Sequence, residues 1–348
     1  MGLYNTSGGG RGSGTLGETH APRSRESVPI HRHPPSPAPV PPAHSILDRA
    51  GTILLDTARS DAENDGSYLF RAPIAVLETG RRDEVPDLLA ELDRQRRRGR
   101  YVAGYLAYEA GYAFEARLTD LPERTSSENH PLLWFGVYEE REPVDADALF
   151  PTYEPQEEPA SVAEAHLGLG EADYRDRIRS IEQAIREGEV YQINFTAPVR
   201  FRYDGAPLAL YRSLRTRQPV PYGAVLATGH GWILSLSPEL FFRREGSRIW
   251  TRPMKGTIAR GATTEEDERQ ARALSEDPKS RAENLMIVDL LRNDLSRVCV
   301  PDSVKGTALF ETEIHPTLIQ MTSTVEGELQ QEVQLAELFR ALFPCGSV

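Results

Sequence analysis

Apolar residues recur every three or four positions from residue 171 onward, and this spacing predicts an amphipathic helix. Its predicted buried face consists of Tyr174, Ile178, Ile181 and Ile185. Gly188 is expected to end the helix, because glycine readily adopts the left-handed conformation that closes a last turn. Beyond it, Tyr191, Ile193 and Phe195 alternate with polar residues, and a period of two predicts a strand.

A second helix is predicted to begin near Asp277. The Asp277 carboxylate can accept hydrogen bonds from the first backbone N–H groups, and Pro278 suits the first helical position. The predicted apolar stripe contains Leu285, Val288 and Leu291, and the residues predicted to face elsewhere are Asp289 and Asn293.

Short runs rich in aromatic residues, valine and glycine predict buried strands and bends. Two lie in the first half of the chain, at residues 101–114 and 131–139. Later runs lie at residues 222–228, 231–237 and 240–251. Strands and helices are mixed without a regular βαβ rhythm, and no internal repeat is visible, so the sequence predicts an α+β fold and not a doubly wound sheet.

Composition divides the chain into four regions. Residues 1–44 are rich in Gly, Ser, Pro and His, cannot form a core, and are predicted to be a disordered tail. Residues 45–150 are interpreted as an N-terminal subdomain, and residues 151–170, part of a Pro- and Glu-rich stretch, as a linker or an edge excursion. Residues 171–348 then form the region that carries the candidate chemistry.

Charge and cysteine content exclude several classes of protein. The net charge of -12 argues against a nucleic-acid binder, because affinity for phosphates requires clustered Lys and Arg. No apolar run approaches the ~18–20 residues that a membrane span needs. Cys299 and Cys345 provide neither a disulfide framework nor a metal cluster, which fits a reducing, cytoplasmic setting.

Two residues are candidates for acid–base and nucleophilic chemistry. Glu239 follows an apolar strand, where desolvation would raise a carboxyl pKa as a general acid requires. The alternative is an exposed turn glutamate after Pro238. Lys255 lies near the cation Arg252, and a like charge and a dry pocket would both disfavour the protonated amine and expose a nucleophile. The alternative is a solvated turn lysine.

Two further features are candidates for binding. Glu283 lies in the first turns of the second helix and could offer an oxygen to Mg²⁺, or it could be a surface glutamate favoured by the helix dipole. At residues 343–348 the amides of Gly346 and Ser347 could cradle a carboxylate, or they could form a plain turn.

Five motifs in this order strongly resemble the chorismate-utilising enzymes, a family that contains anthranilate, aminodeoxychorismate, isochorismate and salicylate synthases. The motifs are "SLSPELFF", "TRPMKGTIARG", "RAENLMIVDLLRNDLSRV", "LIQMTSTVEG" and "FPCGSV". The resemblance implies stacked, mostly antiparallel β-sheets flanked by helices. In the family the last motif continues with further sequence, so the fold is expected to be incomplete at its C-terminal end.

The resemblance assigns roles to the candidate residues. "PMKGT" is similar to aminodeoxychorismate synthases, whereas anthranilate synthases have alanine in place of the lysine. Lys255 is therefore expected to be a covalent nucleophile that attacks C2 of chorismate and directs ammonia to C4. Glu239 would protonate the departing C4 hydroxyl, and Glu283 would be one ligand of a Mg²⁺ ion that grips the ring carboxylate.

The resemblance also predicts binding residues. The substrate-lining set is Gly256, Thr257, Gln320, Gly346 and Ser347, with Gln320 standing where many relatives have histidine. Glutamine can still donate a hydrogen bond. A possible effector pocket would include Leu55, Pro221 and Tyr222, although the segment around Leu55 is only loosely similar to the tryptophan-feedback motif of anthranilate synthases. Tryptophan regulation is not predicted.

The function implied by the resemblance is that of an aminodeoxychorismate synthase subunit. It would convert chorismate and ammonia to 4-amino-4-deoxychorismate, for p-aminobenzoate and folate, with ammonia supplied by a glutamine amidotransferase partner. Anthranilate synthase and isochorismate or salicylate synthase are the alternatives within the family. The alternative of another class is a non-catalytic, truncated relative that only binds a partner.

Overall fold

The computed structural model describes residues 46–60, 64, 66–118, 130–150 and 161–348. The predicted tail and the first ten residues of the predicted linker lie outside these ranges. The strands are β1 (Thr52–Asp56), β2 (Ser67–Phe70), β3 (Ala75–Thr79), β4 (Tyr101–Leu106), β5 (Leu133–Tyr138), β6 (Glu142–Val144), β7 (Ser161–Leu167), β8 (Val199–Asp204), β9 (Tyr222–Ala227), β10 (Trp232–Ser237), β11 (Leu240–Glu245), β12 (Arg248–Arg252), β13 (Met254–Ala259), β14 (Lys305–Ile314) and β15 (Leu318–Glu328). The α-helices are α1 (Val85–Arg97), α2 (Ala146–Leu149), α3 (Glu171–Arg186), α4 (Pro207–Arg217), α5 (Thr264–Glu276), α6 (Pro278–Ser296) and α7 (Leu335–Leu342).

The strands form antiparallel sheets, as the α+β prediction requires. A five-stranded sheet has the order β10-β9-β1-β2-β6. A second sheet has the order β11-β12-β15-β13, with β14 also paired to β15. Smaller sheets are formed by β3-β5-β4 and by β7-β8. The fold class is thus confirmed.

The two predicted subdomains do not have separate sheets. Strands β9 and β10 belong to the predicted C-terminal region, yet β9 pairs with β1 from Thr52↔Ala227 to Asp56↔Gly223. One core cluster likewise joins Leu89 of α1, Phe135 of β5, Leu291 of α6 and Phe339 of α7. The sequence pattern identified these residues as apolar but could not say which partner would cover them, because burial and pairing are tertiary properties.

Helix α6 begins as predicted. The side chain of Asp277 accepts a hydrogen bond of 2.7 Å from the backbone N–H of Ser280, and Pro278 occupies the first turn. Its buried stripe differs from the predicted one, because Leu285 is 43% exposed. The buried residues are Asn284, Ile287, Val288, Leu291 and Leu295. A buried polar residue therefore takes a place in the stripe that an apolar pattern does not reveal.

Three expectations for residues 161–204 are corrected. Ser161–Leu167 is a strand, β7, paired with β8, so these residues are not linker. The predicted strand at residues 191–195 is irregular, because an alternating pattern cannot supply the neighbouring strand that a ladder of hydrogen bonds requires. Helix α3 forms, but Tyr174 and Ile185 of its apolar face remain exposed among the described residues.

No helix in the described ranges is long and apolar enough to cross a membrane. Cys299 and Cys345 are both buried and are not joined in a disulfide.

Candidate active site

Glu239 lies in the short bend between β10 and β11. The backbone N–H of Glu239 donates to Ser237 Oγ at 3.2 Å, and this hydroxyl lies 3.2 Å from the Glu239 carbonyl oxygen, to which it donates. The Ser237 side chain thus stabilises the bend through hydrogen bonds to both backbone groups of Glu239. As a result, the side chain of Glu239 projects from the bend in a fixed direction, as a catalytic acid requires.

The environment of Glu239 agrees with the prediction of a partly desolvated carboxyl group. Burial raises its pKa, which is the largest influence on it. Hydrogen bonds from the Ser347 side chain and the Met254 backbone, and the charge of Lys255, each lower that pKa without cancelling the effect of burial. The alternative of a freely exposed turn glutamate is therefore excluded.

A β-bulge directs Lys255 toward the same place. In the pairing of β13 with β15, Met254 lies opposite Thr322 and Thr257 lies opposite Gln320, so β13 contains one extra residue at the bulge. Bulges reorient side chains and occur beside active sites. The Lys255 Nζ donates to Asn194 Oδ1 and to the Ser347 carbonyl oxygen, at 3.1 Å in each case.

Gly256 makes this bulge possible. Its φ of +96° is a conformation that side-chain-bearing residues rarely adopt, and a Cβ there would lie 3.1 Å from Ser280 Cβ and 3.3 Å from Met321 Cβ. The first turn of α6 therefore packs directly on the backbone next to Lys255. The predicted substrate contact of Gly256 stays a prediction, whereas its role in the bulge follows from the geometry.

Gly256→Ala is expected to destabilise the protein by about 2–3 kcal/mol, because left-handed φ costs an L residue about 1–2 kcal/mol and the tight contacts add to that. Gly188→Ala is the matched control. Gly188 also has positive φ (+75°), but a Cβ there would meet nothing within 4 Å. Urea denaturation would measure both variants, and equal losses of stability would contradict the proposed contact with α6.

Asn284 fixes the backbone of the bulge from the other side. It is fully buried, its Nδ2 donates to the Lys255 carbonyl oxygen at 3.4 Å, and its Oδ1 accepts from Ser323 Oγ. The same Ser323 hydroxyl accepts from the backbone N–H of Phe310 at 3.0 Å. This network ties α6, β14 and β15 to the residue that carries the candidate nucleophile.

Thr257 and Gln320 form a pair on neighbouring strands. Thr257 Oγ1 donates to Gln320 Oε1 at 3.0 Å. This bond assigns the oxygen of the amide to Thr257 and leaves its NH₂ group as a donor. Because both residues were predicted to line the substrate, the pair would offer the substrate a hydrogen-bond donor, the NH₂ group of Gln320.

The last residues bring the acid and the amine together. Ser347 is 8% exposed, it lines the same cavity as Glu239, and its carbonyl oxygen accepts from Lys255 Nζ. That carbonyl also accepts from Asn194 Nδ2 at 3.0 Å. At Gly346 a Cβ would lie 2.1 Å from Leu290 Cδ2, so glycine lets this turn pack against α6. Glu239 and Lys255, the two residues expected to be catalytic, thus both lie near Ser347.

A cavity of about 360 Å³ opens at this place and is lined in part by Glu239 and Ser347. Leu55 and Tyr222, predicted for an effector pocket, line the same cavity, because β1 and β9 are paired neighbours. Pro221 is not among its lining residues, although its carbonyl oxygen accepts from Asn64 Nδ2 at 2.5 Å. Binding of an effector here stays a prediction.

Glu283 lies on α6 one residue before Asn284, and its carboxylate is 3.8 Å from Lys279 Nζ. Its side chain is 41% exposed, so it is free to reach an ion from the surface. In the described part of the chain no group of three or more His, Cys, Asp or Glu side chains could hold a metal ion. Glu283 thus offers one carboxylate ligand, which by itself does not form a complete metal site.

Arg252, the cation expected to act on Lys255, lies beside a carboxylate. Its guanidinium lies 3.9 Å from the carboxylate of Glu313, which is also within 4.0 Å of Arg59. Burial favours a raised pKa for Glu313, but His315 Nε2, 3.5 Å from its carboxylate, and the charges of Arg252 and Arg59 hold that pKa below its usual range. Because Arg252 faces a carboxylate, its charge is offset locally.

Sequence reasoning missed three residues of this site: Asn194, Asn284 and Cys345. Asn284 could have been found, since it recurs at helical spacing with Val288, Leu291 and Leu295, and a polar residue in an apolar stripe indicates a buried hydrogen bond. Asn194 lies in the segment predicted as a strand. Cys345 gave no signal beyond its place in the last motif.

The chain matches the family model described as "chorismate binding enzyme" over residues 53–348. It is 37% identical over 196 residues to aminodeoxychorismate synthase component 1 of Escherichia coli (strain K12), covering 56% of this chain and 43% of that protein. It is 31% identical over 287 residues to anthranilate synthase component 1 3 of Haloarcula marismortui, covering 70% of this chain and 56% of that protein.

Among solved structures, anthranilate synthase component I from Streptococcus pneumoniae TIGR4 superposes with a TM-score of 0.68 at 22% identity, covering 83% of this chain and 74% of that chain. This likeness shows the fold. The chain spans about half the length of the curated relatives described above. Because the family model extends over most of the chain and includes every residue of the candidate site, the chain belongs to the chorismate binding enzymes.

Proposed function

We propose that this chain catalyses the aminodeoxychorismate synthase reaction, in which chorismate and ammonia give 4-amino-4-deoxychorismate and water. The observation that carries the proposal is the hydrogen bond of Lys255 Nζ to the Ser347 carbonyl oxygen, because Ser347 lines the same cavity as Glu239. An amine and a buried carboxyl group this close can act on one small ring. Several similar proteins named aminodeoxychorismate synthase support the same assignment.

In the first step, the lone pair of Lys255 Nζ forms a bond to C2 of chorismate. The two conjugated double bonds of the ring shift, the bond between C4 and its hydroxyl breaks, and Glu239 donates the proton with which the hydroxyl leaves as water. Glu239 is suited to this role because burial raises its pKa and so keeps a proton available. The amine must lose a proton before it attacks, and its contact with the Ser347 carbonyl holds it in place.

In the second step, ammonia forms a bond to C4, both double bonds shift back, and the bond between C2 and Lys255 breaks. The amino group therefore ends para to the ring carboxylate. The Glu239 carboxylate is in position to accept a proton from the attacking ammonia. Direct attack of ammonia on C2 would instead put the amino group ortho to the carboxylate, so the lysine determines the regiochemistry.

The substrate is proposed to contact Gly256, Thr257, Gln320, Gly346 and Ser347. The Gln320 NH₂ group would donate to an oxygen of the substrate, because Thr257 occupies its amide oxygen. Glu283 is proposed as one ligand of a Mg²⁺ ion. Bound there, the ion would offset the charge of a substrate carboxylate, and neither step above uses it.

Ammonia is proposed to come from a glutamine amidotransferase partner, since the similar proteins are named as component 1 of a synthase. The product would serve p-aminobenzoate and folate formation. A cytoplasmic location is part of the proposal, because both thiols are free and buried.

Incubation of the 348-residue chain with chorismate and an ammonium salt tests the proposal. The expected product is 4-amino-4-deoxychorismate, identified by NMR because its 2-amino isomer has the same mass. Anthranilate or its 2-amino precursor would assign the chain to the anthranilate synthase branch. Isochorismate or salicylate would assign it to the water-using branches. Absence of any product, with chorismate still bound in calorimetry, would favour a binding protein.

A further inference from the structure

We infer that Asn194 is a positioning residue for the amine of Lys255, which it holds together with the carbonyl group of Ser347. This inference deepens the proposed function, because Lys255 is the residue proposed as the nucleophile. Lys255 Nζ donates to Asn194 Oδ1 and to the Ser347 carbonyl oxygen, at 3.1 Å in each case. Asn194 Nδ2 donates to the same carbonyl oxygen at 3.0 Å. The three groups therefore form a closed triangle of hydrogen bonds.

The triangle fixes which way the Asn194 amide faces. A carbonyl oxygen can only accept, and a protonated lysine amine can only donate. Nδ2 of Asn194 must therefore face Ser347, and Oδ1 must face Lys255, because the reversed amide would lose both bonds. Asn194 is an exposed residue, but Ser347 is only 8% exposed, so one corner of the triangle is shielded from water.

The irregular segment that carries Asn194 is held in place by contacts on both sides. Phe195 packs edge-on against Tyr174 of α3, with ring centroids 5.6 Å apart. The carbonyl oxygen of Pro198 accepts from the backbone N–H of Gly168 at 2.7 Å, just before β8 begins. The position of Asn194 beside the amine thus depends on α3 and on the β7-β8 sheet.

The triangle also determines where the reactive lone pair points. A neutral primary amine has two N–H bonds and one lone pair. When both N–H bonds of Lys255 are directed to the oxygens of Asn194 and Ser347, the lone pair takes the remaining direction, away from both oxygens. An amine that rotated freely would be aligned with C2 of the substrate for only part of the time. Alignment of this kind is a large part of the advantage of a bound reaction.

An amide suits this position better than a carboxylate. Both acceptors of Lys255 Nζ are neutral oxygens. A carboxylate at position 194 would favour the protonated amine, which has no lone pair to attack with. It would also be unable to donate to the Ser347 carbonyl oxygen. Asn194 therefore orients the amine without holding a proton on it.

Three charged groups lie on the elements around Lys255. The charge of Lys255 lowers the pKa of Glu239, although burial has the larger effect on that carboxyl group. Arg252 at the end of β12 faces the carboxylate of Glu313, and Glu283 of α6 is paired with a lysine of its own helix. Their charges are the same in the variants below, so differences between the variants report on position 194.

The first test measures the amine itself and does not depend on turnover. The chain has three lysines, Lys255, Lys279 and Lys305, so trace labelling with acetic anhydride, followed by peptide mass spectrometry, gives the reactivity of each. Asn194→Asp favours the protonated amine and is expected to lower labelling of Lys255 relative to Lys305 by about three- to tenfold at neutral pH. Asn194→Ala removes an acceptor of the protonated amine and is expected to raise it by about two- to threefold.

Gln331→Glu is the matched control, because it also changes an exposed amide to a carboxylate, in the turn after β15. Labelling of Lys255 should be the same in this variant as in the wild type, and urea denaturation would verify that every variant is folded. The inference would be overturned if labelling of Lys255 were unchanged in both Asn194 variants or changed in the same direction in both. This result does not require turnover of chorismate.

The second test uses kcat and KM with chorismate and ammonia. Asn194→Ala is expected to lower kcat by about ten- to a hundredfold with little change in the KM for chorismate, because the amine is misaligned while the substrate contacts remain. In Asn194→Asp the rise of kcat with pH is expected to move to higher pH, so that activity recovers in part as the amine loses its proton. Asn194→Ala should show no such recovery.

A loss that was purely structural would leave the pH profile of Asn194→Asp unchanged in shape. Wild-type kcat and a wild-type pH profile in both Asn194 variants would contradict the inference. If the wild type itself does not turn over, the proposed function fails, while the labelling test still decides whether Asn194 positions the amine.

Discussion

Lys255→Ala is expected to abolish formation of 4-amino-4-deoxychorismate, with a loss of at least about a thousandfold in kcat, as for removal of other covalent nucleophiles. Without the amine at C2, ammonia is no longer directed to C4. Any residual product is therefore expected to be the ortho isomer formed by direct attack at C2. Product NMR and the rate of chorismate consumption measure both effects.

Lys305→Ala is the control for this change, because Lys305 is an exposed lysine at the start of β14. It should retain wild-type activity. Lys255→Ala removes hydrogen bonds to Asn194 and Ser347, so its fold should be verified by urea denaturation alongside the kinetics. Full formation of the para product by Lys255→Ala would disprove the role of the nucleophile.

Glu239→Gln is expected to lower kcat by about 10²–10⁴-fold, the range that a general acid supplies. Glutamine retains the shape of the side chain but cannot donate the proton that the leaving hydroxyl requires. In the wild type, activity should fall as pH rises through the raised pKa of Glu239, because the protonated form is lost. This alkaline fall should be absent from the residual activity of Glu239→Gln.

Glu239→Gln is expected to lower activity without lowering the stability of the fold. Burial raises the pKa of Glu239, so the native state holds its proton more tightly than the unfolded state does. Between the unfolded and the native pKa, the free energy of unfolding therefore decreases as pH rises. Glutamine removes this cost, and Glu239→Gln should be at least as stable as the wild type at neutral and alkaline pH.

Glu245→Gln is the matched control, because Glu245 is an exposed carboxylate at the other end of β11 that pairs with Arg243 at 2.8 Å. An exposed pair of this kind contributes little to stability. Equal activity of Glu239→Gln and Glu245→Gln would remove Glu239 from the mechanism. A less stable Glu239→Gln would show that its carboxylate is needed for folding.

The site also explains how the proposed acid and the proposed nucleophile can coexist. Glu239 and Lys255 are close enough for the charge of the lysine to lower the pKa of the carboxyl group, but burial has the larger effect. The carbonyl oxygen of Ser347 accepts from Lys255 Nζ, and Ser347 and Glu239 line the same cavity. The turn at residues 345–347 therefore lies beside both groups.

The sequence by itself determined the class of fold, the start of α6 and the identity of the two chemical groups. These depend on local rules: Asp277 caps a helix through its own side chain, and the apolar strands before Glu239 and Lys255 place both residues at strand ends. The residues of a motif such as "PMKGT" also stay close together in any fold, because they are consecutive in the sequence.

Only the tertiary structure decided how these parts meet. Pairing of β9 with β1 joined the two predicted subdomains in one sheet, and Ser347 came to contact Lys255 and to share a cavity with Glu239 across about a hundred positions of sequence. Asn284 became buried, Leu285 became exposed, and Cys345 came to lie beside Ser347. Periodicity shows which face of an element is apolar, but the partner that covers it depends on contacts between residues distant in sequence.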